Sequence, residues 1–228
     1  MKAFVIYVKN HAKSESYSKL VLDSCKDRGF EAELFEGITK NNLSDYENKY
    51  NFKRIIPSRA NDFFGQNIDL FKTKKSVFYN GYRLWNKCIE LDEPIVVLEH
   101  DSLCVREWDN LEFDELLVLN GQSCWNQPVF DHVWLRHIKP QYFDTINEYD
   151  SKILWYKFKN YFYGSYMIPG AAAYAITPKG AKRLIEKTHE LGWEQNDHFI
   201  NTKSIRIQVA GKEYFSFHSE NLNMSHGY

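Results

Sequence analysis

The sequence predicts an α/β fold with a mixed, mainly parallel sheet, and three features carry that prediction. The opening reads strand–helix–strand: an apolar run from Ala3 to Val8, a helical stretch ending near Asp27, and an alternating stretch from Glu31 to Phe35. The run Ile95-Val96-Val97-Leu98 is apolar at every position, as expected of a strand covered on both faces. It then turns abruptly polar at Glu99-His100-Asp101. Further on, the small residues of Gly170-Ala171-Ala172-Ala173-Tyr174-Ala175-Ile176 lead into Thr177-Pro178, a helix cap with proline at the first helical position.

Taken in order, Ser14 or Ser16 could cap the first helix, with Tyr17, Leu20, Val21, Ser24 and Cys25 on one face and Gly29 as its stop. Residues 37–75 are polar and irregular, and are expected to form an insertion with short helices, in which Arg54, Arg59 and Lys72 are available to phosphates. Val77, Phe78, Leu84, Trp85, Cys88 and Ile89 fit a helical period over Ser76 to Leu91, and Pro94 introduces the central strand. Leu111 to Leu119 reads as a short helix or a further strand. Residues 120–165, rich in Trp, Tyr, His and Asn, give no clear periodicity. Leu184, Ile185 and Leu191 form the inner face of the helix begun at Thr177, which Gly192 ends. Ser204 to Val209 alternates like a strand, and residues 213–228 form a mixed tail.

The length of 228 residues fits a single domain with a sizeable core. A net charge of −1 argues against a broad electrostatic surface for nucleic acid or anionic membrane. Aromatic residues reach 16%, enough to fill a core and still offer stacking faces to sugars or bases. Cys25, Cys88, Cys104 and Cys124 are widely spaced without a C-x-x-C pair, which fits free thiols in a reducing compartment. The N-terminal apolar run is too short for a secretory signal, and no stretch approaches the ~18 apolar residues of a membrane span. A cytoplasmic location without stable membrane insertion is therefore expected. Neither a G-x-x-x-x-G-K-[ST] nor a G-x-G-x-x-G motif is present, which sets aside P-loop and dinucleotide-binding folds.

The chemistry concentrates at the end of the central strand. In extended chain Glu99 and Asp101 point the same way. Carboxylates about 5 Å apart repel by roughly 3 kcal/mol at an effective dielectric near 20, and a divalent cation would relieve that repulsion. Ligands of open α/β sheets gather at the carboxyl ends of strands, where this pair sits.

Three stretches together resemble glycosyltransferase family 25. Leu84-Trp85-Asn86-Lys87-Cys88 followed by Pro94 to Asp101 is similar to the family's helix leading into a strand that ends Glu-Asp-Asp. The stretch from Gly170 to Ala181 resembles its Gly-x-x-x-Tyr…Lys-Gly-Ala element, and Asp197-His198-Phe199-Ile200 its Asp-Asp-Phe segment. The chain departs from the pattern at His100, which replaces the middle acid. Asn80-Gly81 stands where the family usually has Ser-His, and no early arginine follows the first strand.

The resemblance implies a single GT-A-like (Rossmann-like) nucleotide-sugar-binding domain over residues 1–228. It also implies an inverting transfer from a nucleotide-diphosphate sugar, a UDP-sugar first among donors, assisted by Mn²⁺ or Mg²⁺. On that reading Asp101 ligates the metal directly and Glu99 ligates it or holds the donor. His218 or His226, from a tail over the site, supplies a further ligand. Asp197 is the candidate base, with Glu194 as the fallback. Trp193 offers a sugar platform, and Tyr174, Arg54 and Arg59 join the donor site. The acceptor is by family default a saccharide, with a hydroxymethylated base of viral DNA as the alternative; a non-catalytic nucleotide-sugar or glycan-binding module is the remaining class.

Overall fold

The computed structural model describes residues 1–55, 68–120, 147–148, 171–201 and 203–217. Seven strands form one sheet in the order β2-β1-β3-β7-β5-β8-β6. They are β1 (Lys2–Tyr7), β2 (Glu31–Glu36), β3 (Ile95–Glu99), β5 (Leu116–Val118), β6 (Asn147–Glu148), β7 (Ala173–Ile176) and β8 (Ile207–Val209). A two-stranded ribbon pairs β4 (Ser102–Cys104) with β9 (Phe215–Phe217). β1 runs parallel to β2 and β3, and β5 parallel to β8. β7 runs antiparallel to both β3 and β5, and β6 antiparallel to β8. The sheet is thus mixed and mainly parallel as expected, with β7 inserted in reverse at its centre.

The strand alternation sorts the core into two layers. Ile95, Val97, Tyr174, Ile176, Leu116 and Val118 face one side, where they meet buried residues of α3 (Ile68–Leu91) and of α4 (Pro178–Leu191). Val96, Leu98, Ala173, Ala175 and Leu117 face the other, against Val21 and Cys25 of α1 (Ala12–Cys25) and Trp108, Tyr214 and Phe215. Every residue from Ile95 to Leu98 is buried, which is why that run needs no polar alternation. Glu99 continues the Ile95–Val97 side of the strand, so it emerges toward α3.

Local signals account for most boundaries. Thr177 caps α4 by accepting from Gly180 N (3.1 Å), with Pro178 at the first position. Gly192 closes it at φ 107°, where a Cβ would stand 2.0 Å from the Lys53 carbonyl, so only glycine fits. The first helix differs from expectation: its cap is His11, whose Nδ1 accepts from Ser14 N (3.2 Å), while Ser14 Oγ accepts from Val8 N (2.9 Å). The serine hydroxyl is spent tying the end of β1, so the cap moves upstream. Within 37–75, α2 (Leu43–Tyr50) is the expected short helix, but α3 begins at residue 68, eight residues before the apolar period becomes readable. Of the two readings for Leu111 to Leu119, the structure shows a strand, β5, over Leu116–Val118. Cys25, Cys88 and Cys104 are buried free thiols; burial pushes the Cys88 thiol up to about 12. Cys124 lies outside the described residues. Among them, no helix is long and apolar enough to cross a membrane.

Candidate active site

A cleft of about 660 Å³ opens at the carboxyl ends of β1, β2 and β3. Its walls are the loop after β1 (Val8 to His11), the loop after β2 (Gly37 to Asn42), one face of α3, and Glu99-His100-Asp101. Parallel strands place these loops side by side, because each strand ends at the same edge of the sheet. Ile6 lies opposite Glu99 in the β1–β3 register, so the acidic turn sits level with the first loop.

α3 holds the second loop in place. Asn80 Oδ1 accepts from Ile38 N (2.6 Å) and its Nδ2 donates to Ile38 O (3.2 Å), closing a two-bond clamp on a buried backbone. The neighbouring Gly81 lets another segment approach: a Cβ there would come 2.9 Å from the Asn196 amide. Asn196 in turn donates to Val77 O (3.1 Å), which seats the short helix α5 (Asn196–Phe199) on α3. Asn80-Gly81 therefore does two structural jobs, one for each side of the site.

The electrostatics join residues from distant parts of the chain. Burial, then the charges of Asp101 and Asp197, push the Glu99 carboxyl up to about 8, while the Lys74 ammonium pulls it back down. Asp197 accepts from Gln195 Nε2 (2.5 Å). It does not line the cleft itself, but its charge reaches Glu99. His100 is driven the other way, to about 4, by burial and then by the nearby His11 and Lys13. It is a neutral imidazole at neutral pH, so the replacement of an acid at this position removes one negative charge from the turn. Asp101 is buried directly after it.

Several residues expected in the site are used elsewhere. Glu194 and Arg54 form a bidentate pair, Nε to Oε2 and Nη2 to Oε1 both at 3.1 Å, with side-chain exposures of 11% for Arg54 and 1% for Glu194. Gln195 N also donates to Glu194 Oε1 (3.1 Å). These bonds occupy the carboxylate of the fallback base and a guanidinium expected to meet phosphate. Trp193 is buried, with Phe71 at 5.3 Å and Phe78 at 6.1 Å between ring centroids, so its faces are spent on core packing instead of a sugar. Tyr174 is a core residue of β7 whose hydroxyl accepts from Trp85 Nε1 (3.1 Å). Arg59, His218 and His226 lie outside the described residues. His11, Lys74 and Asn80 line the cleft without having been singled out by the sequence. The signal for the last two was polar residues recurring at Thr73, Ser76 and Asn80 on one face of α3.

Paired carboxylates at the end of a parallel strand, facing the loops after β1 and β2, give this α/β domain its candidate site. The family comparison makes this specific. The model of glycosyltransferase family 25 (LPS biosynthesis protein) matches residues 2–200, and the chain belongs to that family. It is a glycosyltransferase. No curated protein matches its sequence. Among solved structures it is similar to the galactosyltransferase LgtC in complex with donor and acceptor sugar analogs, at 11% identity and a TM-score of 0.41 over 92% of this chain and 73% of that one. It is also similar to mouse xyloside xylosyltransferase 1, apo form, at 9% identity and a TM-score of 0.39 over 87% of this chain and 80% of that one. At such identities the donors and acceptors of those proteins do not transfer to this chain.

Proposed function

We propose that this glycosyltransferase is inverting and metal-dependent, and that it moves a sugar from a nucleotide-diphosphate sugar, a UDP-sugar first, to a hydroxyl of a saccharide acceptor. The observation that carries the reading is the Glu99–Asp101 pair at the mouth of the cleft, with the charge of Asp197 directed at it from α5. Among the described residues no group of three His, Cys, Asp or Glu side chains is placed to hold a metal by itself. Mg²⁺ and Mn²⁺ are commonly held by one or two carboxylates together with substrate phosphates, so the oxygen donors of Asp101 and Glu99 suit an ion that is completed by the donor. When bound, such an ion supplies Lewis-acid stabilisation of the leaving diphosphate.

The protein's own groups account for the rest. Asp197 takes the proton of the acceptor hydroxyl. The acceptor oxygen forms its bond to the anomeric carbon as the bond from that carbon to the diphosphate oxygen breaks. The nucleoside diphosphate leaves and the configuration inverts. The last described strand fits the same picture: Phe217 pairs with Ser102, the residue after Asp101. His218 or His226 is the proposed further ligand, and the tail the proposed cover over a single domain spanning 1–228.

A screen of nucleotide sugars for Mn²⁺-dependent release of nucleoside diphosphate tests the reading, followed by assignment of the product's anomeric configuration by NMR. Saccharides and hydroxymethylated DNA serve as the two acceptor classes. Release from one donor, faster with Mn²⁺ and giving an inverted product with a saccharide, is expected. Equal release in chelator, or a retained configuration, overturns the metal or the inverting part respectively.

A further inference from the structure

We propose that Lys74 is the fixed cation that receives the donor's diphosphate, an assignment that rests on the nucleotide-sugar reading of the cleft. The run Lys72-Thr73-Lys74-Lys75 brings three ammonium groups into one turn of α3, and at about 100° per residue the helix sends them in different directions. Lys72 is exposed to solvent. Lys75 is buried, pairs with Glu47 and lies 5.5 Å from the centroid of the Trp193 ring. Lys74 is the member of the run's three lysines that lines the cleft.

The other two lysines that line this cleft are already paired. Lys9 pairs with Glu36 at 3.4 Å and Lys40 with Asp69 at 3.3 Å. His11 uses Nδ1 as an acceptor in the cap of α1. On α3 itself, the Thr73 hydroxyl donates to Asp69 O (2.9 Å), Ser76 to Lys72 O (2.8 Å), and Asn80 is clamped on Ile38. Among the described residues Lys74 closes no ion pair, although its field reaches Glu99 across the cleft. A diphosphate entering the cleft meets the acidic turn on that wall. An ammonium on the facing wall offsets it and supplies charge-assisted hydrogen bonds to phosphate oxygen.

Calorimetry on the full chain tests this with UDP, GDP and ADP and their parent nucleosides, in EDTA and in Mn²⁺. The diphosphate that the wild type binds most tightly is carried forward. Lys74→Met is expected to weaken that diphosphate by roughly tenfold or more in EDTA, the scale of a lost hydrogen bond to a charged group. Lys74→Arg should restore most of the affinity, and binding of the nucleoside should not change. Circular dichroism and the melting temperature report whether Lys74→Met folds. If it does not, the Lys74→Gln variant and the salt dependence of wild-type binding carry the same comparison. Equal diphosphate affinity in wild type and variant, or an equal loss for nucleoside and diphosphate, overturns the role of Lys74 alone. A wild type that binds none of the three diphosphates overturns the donor reading, and this assignment with it.

Discussion

Glu194→Gln separates a structural carboxylate from a chemical one. The side chain is 1% exposed and accepts two bonds from Arg54 and one from the Gln195 backbone. The amide keeps one acceptor but turns an N–H donor toward the guanidinium, whose charge then stays in place without a counter-ion. Arg54 is itself only 11% exposed and lies 5.5 Å from the Phe71 ring and 5.7 Å from Trp193. Breaking a buried pair from one side costs about 3–5 kcal/mol. At roughly 2–4 °C per kcal/mol for a chain of this size, the melting temperature should fall by about 10 °C. Thermal unfolding followed by circular dichroism measures the shift, and turnover per folded molecule is read well below the transition. The double variant Arg54→Met/Glu194→Leu should recover much of the loss, because no lone charge remains. An unchanged melting temperature with turnover lowered about 100-fold would refute the structural assignment and return Glu194 to the chemistry.

The remaining expectations follow from the cleft. Asp101→Asn should abolish the Mn²⁺-dependent part of donor affinity while the far-ultraviolet spectrum stays unchanged; calorimetry with and without the ion decides. Asp197→Asn should lower transfer by roughly 100-fold, the scale of a lost general base, with little change in donor affinity; a proportional fall in both would make it a donor ligand or a helix cap. Glu99 gives a pH signature in the metal-free protein. Its folded value near 8 lies above the ordinary carboxylate value, so the folded state holds a proton that the unfolded state has released between about pH 4.5 and 8. Its contribution to stability therefore declines as pH rises through that window. Glu99→Gln should raise the melting temperature at pH 9 and leave it nearly unchanged at pH 4, and a parallel pH dependence in wild type and variant would contradict the burial of that charge.

Two features of the site show why sequence patterns reach it only in part. The Glu99–Asp101 pair was visible because a buried strand advertises itself by composition, and the alternation of extended chain assigns faces without further information. The same alternation could not say that β7 enters the sheet reversed between β3 and β5, because periodicity carries no direction. Asp197, the candidate base, and Glu194, its fallback, stand three residues apart in one polar stretch. A partner 140 positions away occupies one of them, and only the fold brings Arg54 to it.

The sequence by itself determined what depends on neighbours along the chain. These are the strand cores, the Thr177-Pro178 start and Gly192 stop of α4, and the acidic turn that ends β3. Local steric preference and the burial of apolar residues at a fixed period are properties of short segments, and they survive without knowledge of the partner. The tertiary structure decided what depends on who meets whom. It sent Lys74 into the cleft and Lys75 to Glu47, spent Trp193 and Tyr174 on the core, and raised the Glu99 carboxyl. Burial and charge act through space, so their effect on a side chain is fixed only once the sheet has placed distant segments around it.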